Sequence, residues 1–268
     1  MTATFVTIDD PLAVDGTYGG TAGINNRDEF VGTYLDSSGV AQGFTEIRGT
    51  FKTITDPTVG TEGTYAFGVN DYGEVVGYYV NVNSANYLNG YVYLHGSYTT
   101  IDDPLGTDTV AMGINDKGDV VGDYQFAGGE EGFVYSDGRY TTVSDPLGTV
   151  TAATGINNKG EIVGYYEDSS GFIHGFLDQH GNFTTINDPL SPNLTVVTGI
   201  NDLGEIVGNG NASGSVDSFV YDKGHFTTID LPGVSGTVAL GINNAGHIVG
   251  TYNDNGTHGF LLTGHGLG

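Results

Sequence analysis

Gly155-Ile156-Asn157-Asn158-Lys159-Gly160-Glu161-Ile162-Val163-Gly164 occurs in six near copies along this 268-residue chain. The copies run from Gly23 to Gly32, Gly68 to Gly77, Gly113 to Gly122, Gly155 to Gly164, Gly199 to Gly208 and Gly241 to Gly250. Their starts lie 45, 45, 42, 44 and 42 residues apart. A period of that length belongs to four-stranded propeller blades.

Outward from the fourth copy, the pattern predicts strands over 152–157, 161–166, 174–178 and 182–187, joined by links short enough for antiparallel hairpins. Val110, Met112 and Ile114 alternate with Ala111 and Gly113, as Val238, Leu240 and Ile242 do with Ala239 and Gly241. That is period two, which argues against a helix. Small residues on one face suit the crowded hub of a ring, where neighbouring sheets approach most closely.

Asn157-Asn158-Lys159-Gly160 links the first two strands, and Asn and Gly tolerate the positive φ of a tight turn. Oxygen-rich turns also suit calcium, but each of these has too few carboxylates at the spacing of known calcium loops. No cofactor is therefore expected, with calcium the alternative. The fourth strand ends in Asp-Pro at Asp10, Asp56, Asp103, Asp145 and Asp188, with Asp230-Leu231-Pro232 as the variant. Proline cannot donate into a ladder and marks where the sheet stops, while the aspartate is expected to accept hydrogen bonds from the following turn.

Residues 5–12 match the end of a repeat such as 98–105, whereas the sixth copy reaches Gly268 without its own version of that segment. The expectation is an all-β chain: one six-bladed β-propeller domain spanning 1–268, whose N-terminal strand completes the last blade. Such closure removes open sheet edges.

Seven Lys and Arg against 32 Asp and Glu give a net charge of −25. That surface repels phosphate backbones and anionic lipid, so neither nucleic acid nor membrane is an expected partner. A neutral sugar, a cation or a basic partner fits better, and a monomer is expected. The absence of cysteine removes disulfides, thiol nucleophiles and thiolate metal sites together. No basic segment followed by an apolar run opens the chain, so no secretory signal is read there.

The repeats resemble those of the bacterial HAF-type probable extracellular repeat family, named for a His-Ala-Phe triplet that follows a Gly-Ile-Asn-x-x-Gly-x-Val-Gly core. Here the triplet reads His174-Gly175-Phe176 and His258-Gly259-Phe260, with departures at Gln42-Gly43-Phe44, Asn89-Gly90-Tyr91, Glu131-Gly132-Phe133 and Asp217-Ser218-Phe219. The likeness covers nearly the whole chain. It implies an extracellular or periplasmic location and no particular activity.

Propeller topology puts the Asn-Gly turns on one face and the Asp-Pro loops, with the ends of the second strands, on the other. Loops on a rigid scaffold are where function concentrates. On that loop face the residue opening strand three varies as Gln42, Asn89, Glu131, His174, Asp217 and His258, the scatter of an asymmetric pocket or of unselected exposure. Strand two ends in Tyr34, Tyr79, Tyr124, Tyr166 and Tyr252, while the fifth repeat has Asn209-Gly210. Tyrosine suits sugar rings, though it also packs between blades.

The leading expectation is a binding protein holding a carbohydrate or similar small polar ligand in the central depression of the loop face. The alternatives are a glycoside hydrolase or lyase and a structural or adhesive repeat protein without a pocket. Hydrolysis needs two carboxyl groups, one kept protonated by burial. The candidates are Glu131, Asp217, Glu130 and Asp123. A metal would draw on His174 or His258 with Asp217 or Glu131.

Overall fold

A computed structural model describes residues 4–13, 19–55, 63–82, 86–212 and 215–264. Every element in it is a strand. After β1 (Thr4–Ile8), the first blade holds β2 (Gly19–Ile24), β3 (Phe30–Leu35), β4 (Ala41–Ile47) and β5 (Thr50–Ile54). The second holds β6 (Thr64–Val69), β7 (Val75–Val80), β8 (Leu88–Leu94) and β9 (Ser97–Ile101). The third holds β10 (Thr107–Ile114), β11 (Val120–Phe126), β12 (Gly129–Ser136) and β13 (Arg139–Val143). The fourth holds β14 (Val150–Ile156), β15 (Ile162–Glu167), β16 (Ile173–Asp178) and β17 (Phe183–Ile186). The fifth holds β18 (Thr195–Ile200), β19 (Ile206–Ala212), β20 (Ser215–Asp222) and β21 (His225–Ile229). The sixth holds β22 (Ser235–Ile242), β23 (Ile248–Asn253) and β24 (Thr257–Thr263), and β1 supplies its fourth strand.

The ring is thus a six-bladed propeller closed by its N-terminal strand. Thr4 to Ile8 lie antiparallel to Thr263 to Gly259. Phe5 meets Tyr252 edge-on at 6.0 Å, Thr7 bonds the Tyr252 hydroxyl at 2.7 Å, and His258 Nδ1 lies 2.9 Å from Asp9 Oδ2.

The core lies between sheets rather than within one. The valine of each Val-Gly pair (Val31, Val76, Val121, Val163, Val207, Val249) is fully buried. Most of them pack into a cluster dominated by the following blade. Nearest the axis, glycines replace side chains. A Cβ on Gly113 would stand 3.0 Å from Gly155 Cα, and one on Gly23 would stand 3.1 Å from Gly68 Cα. This close approach is the crowding that the small-residue face foreshadows.

Each first strand carries a β-bulge just before that glycine: the register slips between Thr21 and Gly23, and likewise at Ala66/Gly68, Ala111/Gly113, Ala153/Gly155, Val197/Gly199 and Ala239/Gly241. A bulge leaves one residue unpaired and re-aims its side chain. The six unpaired residues are Ala22, Phe67, Met112, Thr154, Thr198 and Leu240.

The Asn-Gly links are tight turns, as expected. Gly160 has φ +80°, its amide donates to the Asn157 carbonyl at 3.0 Å, and Asn157 Oδ1 accepts the amides of Lys159 and Glu161. The Asp-Pro loops also behave as read. Asp10, Asp103, Asp145 and Asp188 are buried, and each accepts the amide two residues on, at 2.8–3.0 Å. Asp56 lies outside the described residues.

Candidate functional site

The two faces of the ring differ in how the axis is closed. On the Asn-turn face, the first turn asparagine of each blade donates its Nδ2 to the matching carbonyl of the next: Asn25 to Asn70, Asn70 to Asn115, Asn115 to Asn157, Asn157 to Asn201, Asn201 to Asn243 and Asn243 to Asn25, at 2.9–3.2 Å. The second turn residue makes another circuit. The amides of Asn26, Asp71, Asp116, Asn158, Asp202 and Asn244 each donate to the next member's Oδ1 at 2.8 Å, and Asn244 returns to Asn26. Two complete circles of hydrogen bonds therefore tie that end of the axis.

Among the described residues, no such circuit ties the loop face. The six bulge residues line an axial chamber of about 200 Å³. Ala22, Phe67 and Leu240 also line a lateral cavity of about 510 Å³ reaching Gly20, Thr33, Tyr34 and Tyr65 between the sixth, first and second blades. This volume falls in the range of about 300–1,000 Å³ usual for small-ligand sites. The walls are mainly apolar. Thr154 and Thr198 donate their hydroxyls to the Val197 and Ala239 carbonyls at 2.8 and 2.9 Å, which leaves oxygen lone pairs to accept from a ligand.

A second set of unlike residues follows each Val-Gly pair: Thr33, Tyr78, Asp123, Tyr165, Asn209 and Thr251. Tyr78 stacks on Tyr65 at 4.5 Å and tilts against Phe67 at 5.7 Å, so one wall of the depression is aromatic. Burial, with the neighbouring Tyr65, pushes the Tyr78 phenol up to about 12. Asp123 is 5% exposed, and its Oδ1 is buried without a hydrogen-bond partner among the described residues. Burial first, then the nearby Glu130 charge, holds its carboxyl well above the usual range. Glu130 is itself raised by burial, while the Gln125 amide, donating at 2.7 Å, opposes that rise. Burial and the charges of Glu130 and Asp123 push Tyr165 up to about 12. Asn209 is different: with Ser218 it binds both the amide and carbonyl of Ala239 at 2.8–3.0 Å, a seam between blades five and six.

Of the four carboxylates singled out from sequence, the structure brings Asp123 and Glu130 together. Glu131 lies on the opposite side of its strand from Glu130, because side chains alternate. It pairs across the ladder with Tyr124, and its Oε2 is buried without a partner among the described residues. Asp217 belongs to the fifth blade, two away. The residues opening strand three sit one per blade and mostly bond within it. Gln42 accepts from Thr55 at 2.6 Å, Asn89 donates to Asp102 at 3.1 Å, and His174 Nδ1 lies 2.8 Å from Asn187 Oδ1. His258 meets Asp9 in the closing strand pair.

Tyr34, Tyr79, Tyr124, Tyr166 and Tyr252 are 3–7% exposed. The hydroxyls of Tyr34 and Tyr166 meet Thr53 and Thr185 of the fourth strand at 2.9 and 3.0 Å. In the fifth blade, glycine replaces this tyrosine because the preceding loop fills its place: a Cβ on Gly210 would stand 2.5 Å from Ser191 Cβ. The bulge residues, with Tyr65, Tyr78 and Tyr165, are not among the candidates read from sequence. The signal for all of them but Tyr65 is a varied position beside an unvaried glycine.

Among the described residues, no three His, Asp or Glu side chains gather to hold a metal ion, and no helix is long and apolar enough to cross a membrane.

No family model matches the chain, and no curated protein does. Solved structures with the same fold include a lectin of Aleuria aurantia in complex with Fucα1-6GlcNAc. It is 12% identical over 96% of this chain and 94% of that one, with a TM-score of 0.60. A gluconolactonase of Xanthomonas campestris is 13% identical over 97% and 89%, with a TM-score of 0.57. The virginiamycin B lyase of Staphylococcus aureus is 11% identical over 98% and 99%, with a TM-score of 0.53. At such identities the likeness shows the fold alone.

Proposed function

We propose that this protein binds a carbohydrate or similar small ring-shaped ligand in the central depression of its loop face. The observation that carries this reading is the bulge. In six nearly identical repeats, the one residue freed from pairing and turned to the axis is Ala, Phe, Met, Thr, Thr and Leu in turn, while its neighbour is always glycine. A ring with a C–H face would lie on Phe67, Met112 and Leu240, and its hydroxyls would donate to Thr154 and Thr198. Aromatic and aliphatic walls with a few oriented polar groups are the usual make-up of a ligand site. That a lectin and a gluconolactonase share the fold is in keeping with this reading.

A glycan array followed by calorimetry tests it. The native protein is expected to select a subset of glycans, and Thr154→Val is expected to weaken that binding several-fold while keeping the fold, with a modest drop in melting temperature from the lost bond to the Val197 carbonyl. A flat array would sink the proposal.

Acid–base chemistry on a sugar is a second reading, favoured by Asp123 beside Glu130. A buried carboxyl kept protonated next to a second carboxylate is the pair that glycoside hydrolysis uses. Turnover of a glycoside panel that Asp123→Asn abolishes without loss of fold would support it. Selective binding with no turnover would leave the binding reading alone.

A further inference from the structure

Cations are scarce in this chain, yet three of its seven Lys and Arg residues, Arg27, Arg48 and Lys52, belong to the first blade. Two of them, Arg27 and Lys52, line a cleft of about 310 Å³ with His95 between the first and second blades, away from the loop face. Lys52 occupies a strand-four position that carries Thr99, Thr141, Thr184 and Thr227 in four other blades and Val6 in the sixth. It is the residue that breaks the repeat.

Its charge is uncommitted. The exposed Lys52 ammonium stands over the Tyr93 ring at 5.7 Å and makes no ion pair among the described residues. Contact with a ring face holds a cation in place without neutralising it. Arg27 is matched by Glu29 at 3.0 Å, and Glu29 also accepts from Asn25 Nδ2 at 2.7 Å, so the one carboxylate lining the cleft is already engaged. Tyr72 lies on the cleft wall with 67% of its surface exposed, a flat apolar face without a covering residue.

We infer that this cleft is a second binding site, for a monoanionic carboxylate carried on a sugar ring, the chemistry of a uronic acid unit. One uncompensated positive charge matches one carboxylate; a dianionic phosphate would meet Glu29 and the −25 field of the chain with an extra charge to place. The Tyr72 face suits the C–H side of a pyranose. The inference is independent of the loop-face reading, because the two sites share no lining residue.

The test is calorimetric titration of the full chain with D-glucuronate, D-glucose, acetate and inorganic phosphate at low salt. Glucuronate is expected to bind saturably and more tightly than the other three, and to weaken as salt rises. Lys52→Thr, which restores the residue of the other blades, is expected to cut glucuronate affinity roughly tenfold, the scale of one charge-assisted hydrogen bond. Lys52→Arg should retain it, and both variants should melt with the native protein. Glucose or phosphate binding as tightly as glucuronate, or an unchanged affinity in Lys52→Thr, would overturn the assignment. Glycan binding lost in Thr154→Val with glucuronate binding intact would separate the loop-face site from this one.

Discussion

Asp123 carries a carboxyl with little to hold its charge: the third blade buries it, leaves Oδ1 without a donor and sets Glu130 nearby. Because its folded pKa is raised, the carboxyl is neutral in both states below its ordinary value of 3.8, and native stability falls as pH climbs from there through the folded value. Asp123→Asn is therefore expected to melt above the native protein at pH 7, with the gap closing as pH drops toward 3.8; thermal melts across that range check it. The acidity of this residue, close to Glu130 and Glu131, is plain in the sequence. Its burial is not, because it depends on how β11 sits between β10 and β12 and against β14 of the next blade. The tyrosines teach the opposite lesson. Tyr34 and Tyr166 draw notice by recurring, and recurrence here reflects a repeated hydrogen bond to threonine. Tyr78, against the bulge residue Phe67, and Tyr165, near Asp123 and Glu130, stand where the repeats disagree.

At the scale of the element, turns are legible and bulges are not. Asn-x-x-Gly specifies its turn through local chemistry, since one side chain caps two amides of its own loop. Asn157→Ala would strip those amides and the Asn201 carbonyl of partners together, and is expected to cost about 1–3 kcal/mol, readable by urea denaturation. The alternation of Val110, Met112 and Ile114 reads as an unbroken strand, yet Met112 is the extra residue of a bulge. The cause lies across the ladder and in the neighbouring blade, where Gly113 must pass close to Gly155, and no window of local sequence contains that constraint. Gly113→Ala would place a methyl 3.0 Å from Gly155 Cα, an overpacking expected to cost about 1–3 kcal/mol and to show as a lower urea midpoint.

For the whole molecule, repeat count and closure follow from spacing and from the orphan strand. The pocket does not, because it forms only where six blades meet. Deleting residues 4–12 should lower the melting temperature by removing the β1–β24 ladder and the Phe5–Tyr252 contact. The closure also carries a pH signature. The hydrogen bond to Asp9 raises the His258 pKa above 6.5, so its stabilising share is complete below pH 6.5 and is lost as pH rises through the folded value. Melts of His258→Gln should trail the native protein most at low pH and converge with it at alkaline pH. The paired circles of bonds on the Asn-turn face depend on neither, since they cross from the sixth blade to the first without using β1. A hoop of that kind has no terminal link to fray. The backbone protons of Asn26, Asp71, Asp116, Asn158, Asp202 and Asn244 should consequently resist deuterium until the entire wheel gives way, and then all trade at one rate, including those at the water-facing rim; staggered uptake among the six would mean that the hoop can open one link at a time.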